Sequence, residues 1–287
     1  MVRHQNDLQP EQTVSMDQYI LKTLGRLPNT YGKERVESKY VGGTIFIDHA
    51  SGYVFIRYQN TLNASETLKS KIALEQTAKI FGAKIESYLT DHVPFSSEKF
   101  VENIEMNEQR LRFSGVGAHH QNGVAERSIR AIVQLARAVL LHSTLMWPDQ
   151  ANLKLWPYVM HQAVYIYNHI PKPDSGLASI KLLSKTKFPS YDHLNRFHVF
   201  GCPVFVLDPK LQDGKRIPKW KARSRRGQYM GIHPGHSTNV GRILNINSGK
   251  GTHSIMWCMM IPSHLSQIVN PVELEKRKES PQNIGSK

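Results

Sequence analysis

The sequence predicts a mixed α/β or α+β domain, and three observations support that prediction. Short runs rich in β-branched and aromatic residues are interspersed with segments of helical periodicity. The predicted order is strand, strand, strand, helix, strand, helix, strand, helix, which combines a strand-rich start with later alternation. Hydrophobic residues make up 40% of the 287 residues, enough to build a substantial core.

The first three predicted strands include a hairpin. Residues 13–21, TVSMDQYIL, alternate as a strand, and residues 26–40 are polar with Pro and Gly, which favours a long loop. The runs TIFID (44–48) and YVFIRY (53–58) are β-branched and aromatic, and four residues, 49–52, separate them as a turn.

Helices and strands then alternate. Residues 65–82 have helical spacing of apolar side chains and end at a glycine. The apolar positions are Leu68, Ile72, Leu74, Ala78 and Ile80. Residues 84–90 form a predicted strand that leads to Asp91, residues 97–107 a helix, and residues 111–116 another strand. A loop follows, and it leads into a helix that carries Glu126.

The chain is expected to continue beyond this core, which we place at residues 13–146. Residues 1–12 are predicted to be a disordered leader, and residues 147–197 a helical extension with a Pro-containing connector. Residues 198–252 are predicted to form a small basic β unit, because VFGCPVFVLDP and RRGQYMGI have strand character. Residues 253–287 are expected to be a disordered tail.

The net charge of +14 is unevenly distributed. Residues 201–287 carry 14 Lys and Arg against 5 Asp and Glu, a net of +9, so under a third of the chain holds most of the excess. This asymmetry favours a polyanionic partner, nucleic acid first. No run of 18 apolar residues appears, so no membrane association is expected. Two cysteines predict neither a disulfide framework nor a zinc site, and an intracellular setting fits.

The positive charge is densest in residues 210–226, KLQDGKRIPKWKARSRR, which hold eight Lys and Arg against one Asp. Such a segment neutralises phosphates without recognising sequence. The predicted DNA-binding cations in it are Lys215, Arg216, Lys219, Lys221, Arg223, Arg225 and Arg226. Trp220 lies among them, and we expect it to pack against the following strand, with stacking on a base as the alternative.

The stretch HHQNGVAERSIRAI, residues 119–132, is the most informative in the chain. A Gly-containing loop leads into a helix whose first turn carries Glu126, and Arg130 shares its face four residues later. On residue types alone, the acid complements the helix dipole at its N-terminus. Metal and phosphate chemistry is the second interpretation of an acid beside cations.

The seven residues Gln121–Arg127, Gln-Asn-Gly-Val-Ala-Glu-Arg, resemble the third catalytic segment of retroviral-type integrases of the copia-type retrotransposon branch. Similarity extends from about residue 13 to about residue 250. The resemblance implies an RNase H-like mixed sheet flanked by helices, followed by a helical connector and a small C-terminal β unit. It also implies an isolated fragment of a polyprotein.

The same resemblance implies a catalytic triad of Asp17, Asp91 and Glu126 that binds Mg²⁺ or Mn²⁺. The reaction would be 3′-end processing and strand transfer of retrotransposon DNA, with the carboxylates within roughly 4 to 8 Å of each other around a two-metal site. Gln121, Asn122, Arg127 and Arg130 would contact DNA. A nuclear location is expected if the protein functions, and homo-oligomerisation is left open.

Departures from the family pattern keep alternatives open. His92 stands where relatives usually have Asn, and the 34 residues between Asp91 and Glu126 are one fewer than usual. Asp48 is the rival first acid. The alternative function is a decayed or domesticated remnant that binds DNA without catalysis, and an RNase H-type nuclease is a third. His119 and His120 are interpreted as loop residues near phosphates, since no cysteine pair accompanies them.

The resemblance ends abruptly after residue 251, where relatives continue to a strand ending in Val-Val-Tyr/Phe-Asp-Asp. The codons for Met256–Ile261, read two nucleotides later, encode Val-Val-Tyr/His-Asp-Asp. We therefore predict a frameshift near residues 249–252, with residues 253–287 out of frame and the final strand lost or poorly replaced. Genuine divergence of the sequence is the alternative. Sequencing the locus tests this, since a stop within a few codons of the shifted frame, without further similarity, would contradict it.

Overall fold

The computed structural model describes most of the chain, in segments. The described residues are 12–26, 39–91, 95–114, 123–148, 152–173, 175–185, 191, 198–212, 214–233, 236, 240–246, 248–249 and 251–255.

A five-stranded mixed sheet forms the centre of the core. The strands are β1 (Thr13–Gly25), β2 (Tyr40–Asp48), β3 (Val54–Gln59), β4 (Ser87–Thr90) and β5 (Arg110–Phe113), in the order β3-β2-β1-β4-β5. Strands β1, β2 and β3 pair antiparallel, which confirms the predicted hairpin, and β4 and β5 continue parallel to β1. This is the RNase H-like mixed sheet that the resemblance implied, with β4 and β5 shorter than the sequence suggested.

Helices cover both faces of this sheet. Helices α1 (Ala64–Ile80) and α2 (Glu98–Met106) pack on one face, and α3 (Gly123–Met146) and α4 (Trp156–His169) on the other. The side chain of Asn63 caps α1 by accepting a hydrogen bond from the Glu66 amide, which satisfies one of the unpaired N–H groups of the first turn. Each face of the sheet therefore has its own apolar cluster.

Helix α1 buries part of the apolar face that its spacing indicated: Leu74 and Ala78 are buried and Leu68 packs against the same cluster, whereas the other two predicted positions are exposed. Ile72 is 38% exposed and Ile80 81% exposed. The buried side chains are Thr67, Ser70, Lys71, Leu74 and Ala78. Small residues allow the helix to approach the sheet closely, and the Lys71 ammonium is accommodated because it donates to the Glu75 carboxylate and the Asn103 side chain, each at 2.7 Å.

Helix α3 is the one described helix that is long and apolar enough to cross a membrane, by length and composition. The sequence predicted none. The helix contributes Ala125, Ile132 and Ala136 to the cluster that it shares with the sheet and α4. Its partly buried residues Ile129, Val133 and Leu140 pack against that cluster, whereas Leu141 and Leu145 are 52% and 81% exposed.

The predicted C-terminal β unit is a four-stranded antiparallel sheet. It consists of β6 (Pro203–Leu207), β7 (Ser224–Ile232), β8 (Val240–Asn245) and β9 (Gly251–Ile255), in that order. Met230 of β7 joins the apolar cluster of α3 and α4, so the unit packs on the core. Two short helices, α5 (Ser179–Leu183) and α6 (Pro209–Gln212), lie in the connections.

A last strand is present where the frameshift hypothesis expected loss or poor replacement. Strand β9 pairs with β8 from Leu244↔Gly251 to Val240↔Ile255. Backbone groups make these hydrogen bonds, so an edge strand can form from many sequences. The remaining tail, residues 256–287, lies outside the described residues, and so does the leader, residues 1–11.

The expectation that Trp220 packs against the following strand is wrong. Its side chain is 101% exposed. It lies in a turn that the Lys221 amide closes by donating to the Pro218 carbonyl at 3.0 Å, three residues before β7 begins. The turn directs the indole away from the sheet, whose own core is filled by Val204, Tyr229 and Ile243.

Candidate active site and nucleic-acid surface

Asp17 lies within β1 on the face that α3 covers. Alternate side chains of a strand point to opposite faces. Tyr19 belongs to the α3–α4 cluster, whereas Met16 belongs to the α1–α2 cluster, so Asp17 points with Tyr19. Its neighbour Gln18 points to the other face and donates to the Thr67 hydroxyl at 2.7 Å. The backbone that carries the Asp17 carboxyl is therefore fixed by its place in a paired strand.

Asp91 follows β4 and comes beside Asp17 through the parallel pairing. The last pair in the ladder is Ser15↔Leu89, and the same register extended by two residues would set Asp17 opposite Asp91. Neighbouring strands lie about 4.8 Å apart, so the two side chains start from adjacent backbones. The Ser114 hydroxyl donates to the Asp91 carboxylate at 2.6 Å. Ser114 comes directly after β5, as Asp91 comes directly after β4. The hydroxyl at the end of one strand therefore orients the carboxylate at the end of the neighbouring strand.

Glu126 lies in the first turn of α3 and is exposed. It lines a hollow of about 380 Å³ together with Asp17 and Arg130. The predicted sharing of a helix face by Glu126 and Arg130 is therefore realised at the hollow that contains Asp17. Apolar walls are supplied by Ile129 and Val133.

The three acids interact electrostatically. Burial raises the pKa of Asp17 to about 6, partly opposed by a hydrogen bond that it accepts from the Gln18 amide, and the charges of Asp91 and Glu126 raise it further. Carboxylates that repel one another in this way are stabilised by a cation placed between them. Among the described residues, however, no three His, Cys, Asp or Glu side chains are already arranged to hold a metal ion.

We expect Asp17→Asn to stabilise the metal-free protein. The pKa of Asp17 rises from 3.8 to about 6 on folding. The folded state thus keeps a proton that the unfolded chain releases, and this contribution to stability is lost as the pH rises from about 4 to about 6. Discounted for solvent screening, ionised Asp17 costs about 1–2 kcal/mol at pH 7.

Chemical denaturation of both proteins across this pH range, in the presence of a chelator, measures the effect. The variant should be more stable at pH 7, and the difference should vanish near pH 4. Adding Mg²⁺ should stabilise the original chain more than the variant, because binding to the folded state alone adds stability. A variant less stable than the original at pH 7 would contradict this account.

The rival acid Asp48 occupies a different place. It is 4% exposed, and its carboxylate accepts hydrogen bonds from the Ser51 amide at 2.8 Å and the Ser51 hydroxyl at 2.5 Å. It lines a second hollow, of about 320 Å³, with His49, Arg127 and Lys172. The hydrogen bonds to Ser51 are those of a residue that holds the β2–β3 turn together.

Glu126 and Arg127 are neighbours in the sequence, but their side chains line different hollows. Arg127 lines this second hollow, whereas Glu126 and Arg130 line the hollow of Asp17. The reason is the helical step of about 100° per residue. Sequence reasoning missed Lys172 here, because nothing in its local pattern indicates that the connector returns to the hairpin turn. It also missed Ser114, which its place at the end of a strand could have indicated.

Several predicted site residues lie outside the described residues. They are His92, His119, His120, Gln121 and Asn122. Their roles stay predictions.

The basic segment, residues 210–226, crosses from α6 to β7. Its exposed cations are Lys210, Lys215, Arg216, Lys219, Lys221 and Arg223. Arg225 and Arg226 lie within β7 and are half-buried, opposite Val206 and Phe205 of β6. The exposed cations and Trp220 therefore lie on the surface before the strand begins.

Comparison with known proteins finds sequence similarity to retrovirus-related transposon polyproteins. The chain is 30% identical over 128 residues to the retrovirus-related Pol polyprotein from transposon TNT 1-94 of Nicotiana tabacum, which covers 43% of the chain. It is 29% identical over 188 residues to the Pol polyprotein from transposon RE1 of Arabidopsis thaliana, which covers 60% of the chain. Over these regions the chain is therefore similar to part of the Pol polyproteins of plant transposons.

The chain spans about a tenth of the length of these polyproteins, 9% and 11%. No family model matches it. Among solved structures, the HTLV-2 integrase catalytic core domain in complex with magnesium is similar, at 21% identity and a TM-score of 0.43, over 61% of this chain and 98% of that one.

Proposed function

We propose that this chain carries out DNA integration by metal-dependent polynucleotidyl transfer, namely 3′-end processing and strand transfer. The observation that carries the proposal is the meeting of three acids from distant parts of the sequence. Strand pairing brings Asp91 beside Asp17, and the charges of both Asp91 and Glu126 act on Asp17. An acid whose pKa is raised by burial and by neighbouring acids is typical of a functional site.

The donor chemistry of this site fits a divalent cation. Carboxylate oxygens are hard ligands, and Mg²⁺ keeps several waters, so a few carboxylates suffice. Burial chiefly, and the charges of Asp91 and Glu126 in addition, raise the pKa of Asp17, and a bound cation would relieve the repulsion among the three acids. We propose that Asp17, Asp91 and Glu126 bind Mg²⁺ or Mn²⁺, which when bound would stabilise the charge on the attacking and leaving oxygens of the phosphodiester.

The protein's own residues would do the positioning. Asp17 and Asp91 are carried by paired strands, and the Ser114 hydroxyl holds one Asp91 oxygen. Glu126 lies exposed in the first turn of α3 and lines the same hollow as Asp17, so its carboxylate would supply the third ligand. Arg130, in the same hollow, is placed to hold a DNA phosphate.

DNA is the proposed partner, and the exposed cations of residues 210–226 are its proposed main contact. These cations can contact DNA phosphates but are not carried by a helix or strand that could enter a groove and read the bases. Such contacts favour binding to any duplex. Arg127, which faces the second hollow, is a further proposed phosphate contact. We also propose that the protein forms homo-oligomers. We propose a nuclear location, because the target DNA lies in the nucleus.

A second candidate is a remnant that binds DNA without catalysis. The observation in its favour is that the described residues contain no three acid, histidine or cysteine side chains already arranged as a metal site. The basic segment would persist in such a remnant, because it does not depend on the acids.

A strand-transfer assay distinguishes the two. The full chain is incubated with Mn²⁺ and a short labelled blunt duplex, and joined products and DNA binding are measured in the same samples. Joining that disappears with a chelator supports the enzyme. Binding without joining at any Mn²⁺ or Mg²⁺ concentration supports the remnant, and absence of binding contradicts both.

A further inference from the structure

Trp220 is presented to solvent by a closed turn. The indole is 101% exposed, and the backbone on either side is held by the Lys221 amide donating to the Pro218 carbonyl at 3.0 Å. Two residues further on, the Asp208 amide donates to the Arg223 carbonyl at 2.8 Å, which anchors the turn to the end of β6. The ring is therefore displayed at a defined place on the fold.

Cations surround this ring along the chain. Lys219 and Lys221 flank it directly, and Arg216 and Arg223 follow on either side, all of them exposed. A large apolar ring is usually partly buried, because burial removes its surface from water. Here the local positive charge favours a negatively charged ligand, and the exposed ring favours a ligand with flat apolar faces. A nucleic acid strand has both properties.

The accessible faces decide which form of nucleic acid fits. In an intact duplex, each base face is covered by its neighbours, so a protein ring gains little by approaching it. An unpaired base in an overhang, gap or single strand has a free face on which an aromatic side chain can stack. Adjacent lysines would meanwhile contact the phosphates on both sides of that base.

We propose that Trp220, in the turn Pro218–Lys221, is a stacking site for an unpaired base of DNA. The inference deepens the proposed function and rests on DNA being the partner. The cations and the indole of the basic segment would then have different roles in binding. The cations attract any DNA, and the indole selects strands with unpaired bases.

The test uses the full chain and three labelled DNAs with equal numbers of phosphates: a single strand, a blunt duplex and a duplex with a 3′ overhang. Fluorescence anisotropy gives their affinities for the original chain and for Trp220→Ala, Trp220→Phe and Lys219→Gln. Leu145→Ala, which shortens another exposed apolar side chain (81% exposed), is the matched control. Thermal unfolding checks that each variant stays folded.

We expect Trp220→Ala to weaken binding to the single strand and the overhang roughly 5- to 100-fold, the range for removal of one base–aromatic stack. The blunt duplex and the salt dependence should be unchanged, and Trp220→Phe should retain most of the affinity. Lys219→Gln should weaken binding to all three DNAs alike.

Equal weakening on all three DNAs by Trp220→Ala, or none on the overhang, overturns the stacking site and leaves the proposed function standing. If the original chain binds none of the DNAs, the proposed function fails, and the inference fails with it.

Discussion

Asp17→Asn, Asp91→Asn and Glu126→Gln should each reduce strand transfer by at least about 1,000-fold, since a bound metal contributes several kcal/mol to the transition state and 1.36 kcal/mol corresponds to tenfold. Each substitution removes a negative charge and a strong oxygen ligand while keeping the size of the side chain. The measurement is the initial rate of product joining with Mn²⁺ at saturating DNA, together with the affinity for DNA, which should not fall.

Two controls make this result interpretable. Glu98→Gln removes another exposed acid from the first turn of a helix and should leave the rate unchanged. Asp48→Asn should lower the stability of the β2–β3 turn, through its bonds to Ser51, without abolishing joining. If Asp48→Asn abolishes joining in a folded protein and Asp17→Asn does not, Asp48 is the first acid and our assignment is wrong.

Neutralising four cations of the basic segment should weaken binding to any duplex and flatten its salt dependence. With Lys215, Arg216, Lys219 and Lys221 changed to Gln, the slope of log affinity against log salt should fall by about 0.9 for each DNA phosphate that the protein no longer neutralises. The reason is that each neutralised phosphate releases condensed counterions. Titrations at several salt concentrations with unrelated duplexes measure the slope.

A charge-matched control separates local contact from total charge. Replacing Lys79, Lys84, Lys99 and Lys154, which are exposed elsewhere on the fold, removes the same net charge. That variant should bind more weakly only through the smaller long-range attraction, with a slope close to that of the original chain. Equal slopes for both quadruple variants would rule out the basic segment as the contact surface.

The order of the elements was predictable because it depends on local patterns. Alternation in TVSMDQYIL and the β-branched runs on either side of the turn predicted the hairpin that β2 and β3 form. The exposure of Ile72 and Ile80 on α1 was not predictable in the same way. Close packing of small residues and a paired Lys71 outweighed the apolar character of Ile72 and Ile80, and this balance depends on the neighbouring elements.

For the candidate site, the sequence by itself determined which residue types are available: the acids 17, 91 and 126 and the cations of residues 210–226. The tertiary structure decided which of them meet. Parallel pairing of β1 and β4 sets Asp91 beside Asp17, and the helical step separates Arg127 from the hollow of Glu126. The closed turn before β7 exposes Trp220. The physical reason is that propensity and periodicity act over a few residues, whereas strand pairing and packing join residues that are far apart along the chain.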